Sequence, residues 1–215
     1  MNKTAAQIAE EVVSGLTSEM RKHFEVRTKR HISLVQKYCK KLEETDPSMR
    51  GLVSRGTKHD DSKFGAEELL PYIWLTWRYK CQDDNTECNL PEGMQEKINK
   101  ATEHHILNNA HHPEYHQDRK EGLLNTSDRD KTPVKIVDAT KMSNLDIGEM
   151  VADWAAMSEE RGNTPREWAD KNVNVRWKFT PEQKELIYRL IDNAWSSKKT
   201  AAEIAAGVLS RSTKR

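Results

Sequence analysis

Apolar residues in this chain recur at spacings of three, four and seven, segment after segment, and almost nowhere alternate. Such a period places a buried stripe on an α-helix and does not suit the pleat of a strand, so the chain is expected to be all-α, a helical bundle. With 9 Gly and 7 Pro among 215 residues, little interrupts the pattern. Four segments carry helix-start chemistry. Thr4-Ala5-Ala6-Gln7 and Thr200-Ala201-Ala202-Glu203 read as capping boxes. Thr164-Pro165-Arg166-Glu167 and Thr180-Pro181-Glu182-Gln183 place proline at the first helical position behind a capping threonine. Helices are expected near 4–24, 28–44, 48–59, 65–80, 91–109, 133–141, 144–161, 165–171, 181–195 and 200–210. Loops are expected near 45–47, 60–64, 81–90, 110–132 and 172–180, the last with an alternating stretch suited to an extended connector. The likeness of TAAQIAEEVVSGL to TAAEIAAGVLSRS leaves two readings open, paired terminal helices or the ordinary similarity of Ala-rich helices. A single helical domain over 1–215, with helical terminal extensions, is the expected organisation.

Charge narrows the function. Lys+Arg total 35 against 34 Asp+Glu, a formal net charge of +1, which disfavours a nucleic-acid binder that relies on a strong global field. The basic residues Arg21, Lys22, Arg27, Lys29, Arg30, Lys40 and Lys41 read first as solvated helix faces, a local basic patch staying open. No apolar run is long enough to cross a bilayer, and Glu10, Glu11 and Ser14 interrupt any signal-peptide core, so a cytoplasmic protein is expected. Cys39, Cys81 and Cys88 form no CxxC pair and are expected to be reduced bystanders.

Histidine is the anomaly. Of 8 in the chain, His104, His105, His111, His112 and His116 fall within thirteen positions. His105 continues the stripe of Met94, Ile98 and Ala101, whereas His104 is rotated about 100° away. Pro113 biases His112 to extended geometry. Earlier, His31 shares a face with Val35, Tyr38 and Leu42, either as a core histidine or as an inward ligand. His59-Asp60 closes a short helix, where both side chains can reach one point if the backbone turns there. Late in the chain, Asp146, Met150, Asp153 and Met157 share one helical face. Either carboxylates among methionines point inward and need a cation, or Met142, Ile147, Val151 and Trp154 form the core and Asp146, Glu149 and Asp153 are exposed. Imidazoles and carboxylates together suit Mn, Fe, Co, Ni, Zn or Mg, in one or two ions.

This order of residues resembles the HD-domain superfamily of metal-dependent phosphohydrolases, over residues 28–160. The resemblance implies that His31, His59, Asp60 and one of Asp146 or Asp153 bind a first divalent metal, the other late aspartate orienting a histidine. It implies that His105, His111 and His112 serve a second metal, as further histidines do in binuclear members. HDDSK (His59 to Lys63) is similar to the HD-x-x-K of the cyclic-dinucleotide branch, which implies a phosphate-facing Lys63 and a bridging Asp60. HHPEY is similar to the HHE of that branch, although no GYP follows, and VADWAAM is similar to the late-aspartate helix of nucleotidase-like members. The nearest likeness is to phage and bacterial HD-like proteins with HD-x-S-K-F, N-x-HHPEY and D-I-x-E-M-x-x-D-W segments. The third histidine lies only six positions before His111, closer than in the HD-GYP pattern. Asp146 and Asp153 lie about 10 Å apart along a helix, so both can hardly hold one ion.

The implied function is hydrolysis of a phosphoester by metal-activated water, with Asp60 and Lys63 as catalytic residues and a phosphorylated small molecule, by default a nucleotide, as substrate. Trp74, Trp77 and Tyr79 offer either core residues or a stacking wall for a base. Two other classes stay open: an HD-fold di-iron oxygenase, and a non-enzymatic binding protein stabilised by metal. A homo-oligomer is equally open.

Overall fold

The computed structural model describes residues 15–117 and 135–195. Among them the chain is all-α, with seven α-helices: α1 Ser18–Thr45, α2 Leu52–Gly56, α3 Leu69–Asp83, α4 Met94–Asn108, α5 Asn144–Arg161, α6 Pro165–Asn172 and α7 Pro181–Trp195. Short 3-10 turns occupy Pro47–Met49, Asp61–Phe64 and Pro113–His116. The strands among the described residues are β1 Val137–Asp138 and β2 Trp177–Lys178, paired in parallel with Val137 opposite Trp177. No helix among the described residues is long and apolar enough to cross a membrane. The two Ala-rich terminal segments and most of the 110–132 loop lie outside the described residues.

Helix boundaries follow the capping chemistry. At α5 the Ser143 hydroxyl accepts from the Asp146 amide at 3.2 Å while the Asp146 carboxylate accepts from the Ser143 amide at 2.7 Å, a reciprocal cap. Gly162 ends α5 at φ 70, a left-handed position that a Cβ would strain. Thr164 and Thr180 cap α6 and α7 ahead of Pro165 and Pro181, as the sequence predicts.

Three expectations are corrected. Instead of two helices near 4–24 and 28–44, α1 runs unbroken through Val26-Arg27-Thr28, because no Gly or Pro intervenes and Thr28 is buried on the stripe of Phe24, His31 and Val35. The helix expected at 48–59 is cut at Gly51, whose φ of 97 separates the Pro47–Met49 turn from α2. The segment expected as helix 133–141 instead holds β1, with Val137 and Ala139 buried and Ile136 and Asp138 exposed, an alternation of period two.

α1 is the spine of the molecule. Its C-terminal half, with Val35, Tyr38 and Leu42, joins α5 and α7 in one apolar cluster. Its N-terminal part, with Met20 and Phe24, joins Tyr72, Ile73, Trp74, Met94 and Ile98 of α3 and α4 in a second. His31 sits between those two clusters. α5 packs against α1, α2, α6 and α7 and is buried nearly all round over its first three turns. Both readings of its faces are therefore half realised: Ile147, Val151 and Trp154 enter the core, and Asp146 and Glu149 are buried as well. Trp74 is core and Trp77 packs on the second cluster, while Tyr79 is exposed at a cavity wall. The three cysteines are free thiols.

Candidate metal centre

Asp60 is the focus of the arrangement. It follows α2 in a left-handed conformation, φ 60 and ψ 12, one of few non-glycine residues so placed. Aspartate tolerates that region better than most side chains, and strained backbone of this kind gathers at functional sites. The turn lets two consecutive side chains, His59 and Asp60, face one interior point from a helix end. Asp60 is 1% exposed and His59 2%.

Three imidazoles surround the Asp60 carboxylate. His105 Nε2 stands 3.2 Å from Oδ1, His59 Nε2 3.7 Å from Oδ1, and His31 Nε2 3.9 Å from Oδ2. Each of these histidines has its other nitrogen held by a glutamate, two of them from α5 and one from the start of α3. His59 Nδ1 donates to Glu149 at 2.9 Å, His105 Nδ1 to Glu68 at 2.9 Å, and His31 Nδ1 to Glu160 at 3.2 Å. An ionised carboxylate only accepts, so the proton in each pair sits on Nδ1, which fixes ring orientation and tautomer. This is the carboxylate–histidine geometry that prepares an Nε2 lone pair for a cation.

Three sets bring ligand atoms within 4.8 Å of one another: His31, His59 and Asp153; His59, His111 and Glu149; and His105, His111 and His112. The first and third sets join residues that the sequence assigns to a first and a second ion. Asp153 Oδ1 lies 3.1 Å from His31 Nε2. The His111 and His112 rings lie 4.2 Å apart, tilted by 41°, and His105 meets His112 edge-on at 5.0 Å between centroids.

Asp146, the competing late aspartate, is not brought to this focus. Its carboxylate is taken by the Ser143 cap and by the Arg55 guanidinium, and its nearest imidazole is His116 at 3.8 Å. The same Arg55 donates through Nε to Glu149 at 2.5 Å. Lys63 Nζ contacts Asp60 Oδ2 at 2.5 Å and lines the cavity beside it. His104, off the buried stripe, binds the outer oxygen of Glu68 at 2.7 Å.

The glutamates Glu68, Glu149 and Glu160 escape a reading that looks for ligands only. Glu149 was nonetheless signalled, since it lies at i+3 from Asp146 and i−4 from Asp153 on one helical face. Glu68 and Glu160 have no such mark.

Charge explains why these groups need one another. Burial works against the Asp60 charge, but the Lys63 ammonium and the neighbouring His59 and His105 outweigh it and hold its carboxyl well below the usual range. Glu149 and Asp153 are depressed likewise: burial opposes, and bonds from His111 and His59, and from His31, prevail. His31 is raised to about 9, burial opposing and the Asp153 and Glu160 carboxylates dominating. His111 is lowered, by burial and then by His59. Five carboxylates (Asp60, Glu68, Glu149, Asp153 and Glu160) meet here, with Asp146 beside them on Arg55, against the fixed cations Arg55 and Lys63. Protonated imidazoles or divalent cations must supply the balance. His59 Nε2 is buried with no hydrogen-bond partner, an orphan nitrogen among carboxylates. A cation answers that orphan directly, so the residues present fit a divalent metal.

A cavity of about 480 Å³ opens on this centre, lined by Asp60, Lys63, His31, His105, His112 and Asp153 among others. Its size is that of a small-molecule site.

No curated protein and no solved structure matches this chain. Residues 20–193, which include every group of the centre, match a family described as a family of unknown function, and the chain thus belongs to that family, DUF5662.

Proposed function

We propose that this protein is a metal-dependent phosphohydrolase acting on a phosphorylated small molecule, with nucleotides as the default class. The observation that carries the reading is the ring of three Nε2 atoms about Asp60, each backed by a glutamate, at the floor of a ligand-sized cavity. His31, His59, Asp60 and Asp153 would hold one divalent ion, and His105, His111 and His112 a second, with Asp60 facing both sets. When bound, such ions supply Lewis acidity toward a phosphoryl oxygen and lower the pKa of water. Glu149, Glu68 and Glu160 keep the imidazole protons on Nδ1. Lys63 neutralises Asp60 and stands at the cavity wall, where its ammonium can meet a phosphoryl anion. The likeness of HDDSK to HD-x-x-K supports the same role.

Elemental analysis and a screen of phosphoesters test the reading together. The purified chain should contain a divalent transition metal, lose phosphatase activity with chelator and regain it with Mn or Co. His59→Ala with Asp60→Ala should strip the metal and lower the Tm, since metal bound only by the folded state stabilises it. Lys63→Ala should keep the metal and lower turnover. Full activity in Lys63→Ala would reduce Lys63 to a surface charge. A fully metallated chain that hydrolyses no phosphoester but consumes oxygen with iron bound would turn the assignment to an oxygenase. Metal without either activity would leave a metal-stabilised binding protein.

A further inference from the structure

The cavity extends well past the histidines. Tyr72 of α3 lies beside His105 of α4, ring centroids 5.6 Å apart, at the end where the metal centre sits. Further along the same two helices, Arg78 Nη1 donates to Gln95 Oε1 at 2.6 Å. From Tyr72 to Arg78 is about 9 Å of α3, and from His105 to Gln95 about 15 Å of α4. α1 runs to the same end: His23 packs edge-on against Trp77 at 5.9 Å, and Arg27 lies one turn, about 6 Å, before His31. Arg27 and Arg78 thus line the cavity on one side of the centre, with Asn99 and Thr102 of α4 between.

The arginines of the cavity, Arg27, Arg78 and Arg161 of α5, differ from its other charges. Asp60, Asp153 and Glu160 are each engaged by Lys63 or by imidazoles. Arg27 and Arg78 have no carboxylate within 4.0 Å among the described residues. Arg78 is held by Gln95 in a fixed orientation, and its Nε–H is buried without a hydrogen-bond partner. A buried guanidinium donor left unmet is costly, and a planar fork of this kind is suited to a phosphate or carboxylate.

We propose that Arg27 and Arg78 form a separate anion subsite, and that the substrate carries a second phosphate set apart from the reacting one by a sugar or nucleoside. The inference rests on the hydrolase reading for the end where reaction occurs, while the subsite itself is a matter of binding. The spacing to Arg78 chooses the class: directly joined phosphates of a pyrophosphate share one bridging oxygen and do not span the more than one turn of α3 between Tyr72 and Arg78. Two phosphates on one nucleoside, or on neighbouring nucleotides, can. Asn99 and Thr102 offer the intervening sugar hydrogen-bonding groups.

Calorimetric titration of the full chain with adenosine 3′,5′-bisphosphate and with adenosine monophosphate, alongside turnover of both, tests this. The bisphosphate should bind tighter by about tenfold or more, the scale of one charge-assisted contact. Arg27→Ala, at an exposed position, and Arg78→Gln should each erase that preference while leaving monophosphate binding and turnover unchanged; Arg78→Lys should restore part of it. Equal affinities in the wild type, or a preference that survives both substitutions, would overturn the subsite. Turnover that proceeds with no such preference overturns the subsite and leaves the hydrolase; an arginine-dependent preference with no turnover of either ligand does the reverse.

Discussion

Glu149→Gln tests the centre at its most connected carboxylate. Glu149 is 5% exposed, accepts from His59 Nδ1 at 2.9 Å and from Arg55 Nε at 2.5 Å, and lies 3.4 Å from His111 Nδ1. Glutamine keeps the shape and one acceptor oxygen but turns an NH2 group toward one of these donors and removes the charge. Arg55 then retains only Asp146. Breaking one partner of a buried ion pair costs about 3–5 kcal/mol. The Arg55 side chain is 29% exposed, so water recovers part of that loss and the lower end, about 3 kcal/mol, applies. For a chain of this size the corresponding fall in Tm is about 6–12 °C. The same change should weaken metal binding by about 10–100-fold, because the His59 ring loses the acceptor that fixes its tautomer. Thermal unfolding with and without chelator, together with metal titration, separates the two effects. The chelated protein reports the ion-pair loss, and the difference between the two melts reports the metal. Unchanged stability in chelator would refute the argument from the Arg55–Glu149 pair. Unchanged metal affinity would refute the claim that Glu149 orients His59.

Gly148→Ala should destabilise by about 1 kcal/mol: its Cβ would stand 2.7 Å from Met49 Sδ and 3.2 Å from Leu52 Cδ2, and that crowding outweighs the gain in helix propensity. Urea denaturation at unchanged m-value reads the effect, and a stabilised variant would show that Met49 yields freely. Asp46→Asn should lose stability at neutral pH. Burial raises the Asp46 carboxyl, but the Ser48 hydroxyl and amide and the Arg189 guanidinium outweigh it and hold it below the ordinary value. A depressed folded-state pKa contributes stability above the unfolded-state pKa and loses it as pH falls through the folded one, so wild type and variant should converge in acid. A gap independent of pH would remove the ionic explanation.

Where the sequence was legible, a local rule sufficed. Thr164-Pro165 and Thr180-Pro181 mark the starts of α6 and α7, because capping is settled within four residues. The inward faces of His31 and His105 follow from period alone, and both are buried. What the sequence could not rank was Asp146 against Asp153. Both lie on the same stripe, and what tells their surroundings apart is Arg55, which holds Asp146 from 91 positions away in sequence. Glu68 and Glu160 were invisible for the same reason: their partners, His105 and His31, are 37 and 129 positions distant. β1 escaped because its alternation covers only four residues, Ile136 to Ala139, and its partner strand lies beyond α5 and α6.

That small ribbon has a consequence for the order in which the molecule comes together. Val137 opposite Trp177 closes a loop of about 40 residues, at an entropic cost of about 3 kcal/mol. Its two flanking backbone bonds, Val137 to Arg176 and Ala139 to Lys178, each 3.0 Å, return about 1 kcal/mol apiece. The ribbon therefore cannot seed the fold. It should close only once α5 has docked and Trp154 has met Trp177, whose rings stack at 5.8 Å. The Trp177 indole in turn donates to Glu114 at 2.9 Å, in the turn that follows His111 and His112. Those two histidines hang from a late-forming joint, so their turn should be the first part of the centre to open in local unfolding and the last to assemble, while His31, on the spine helix, stays in place throughout.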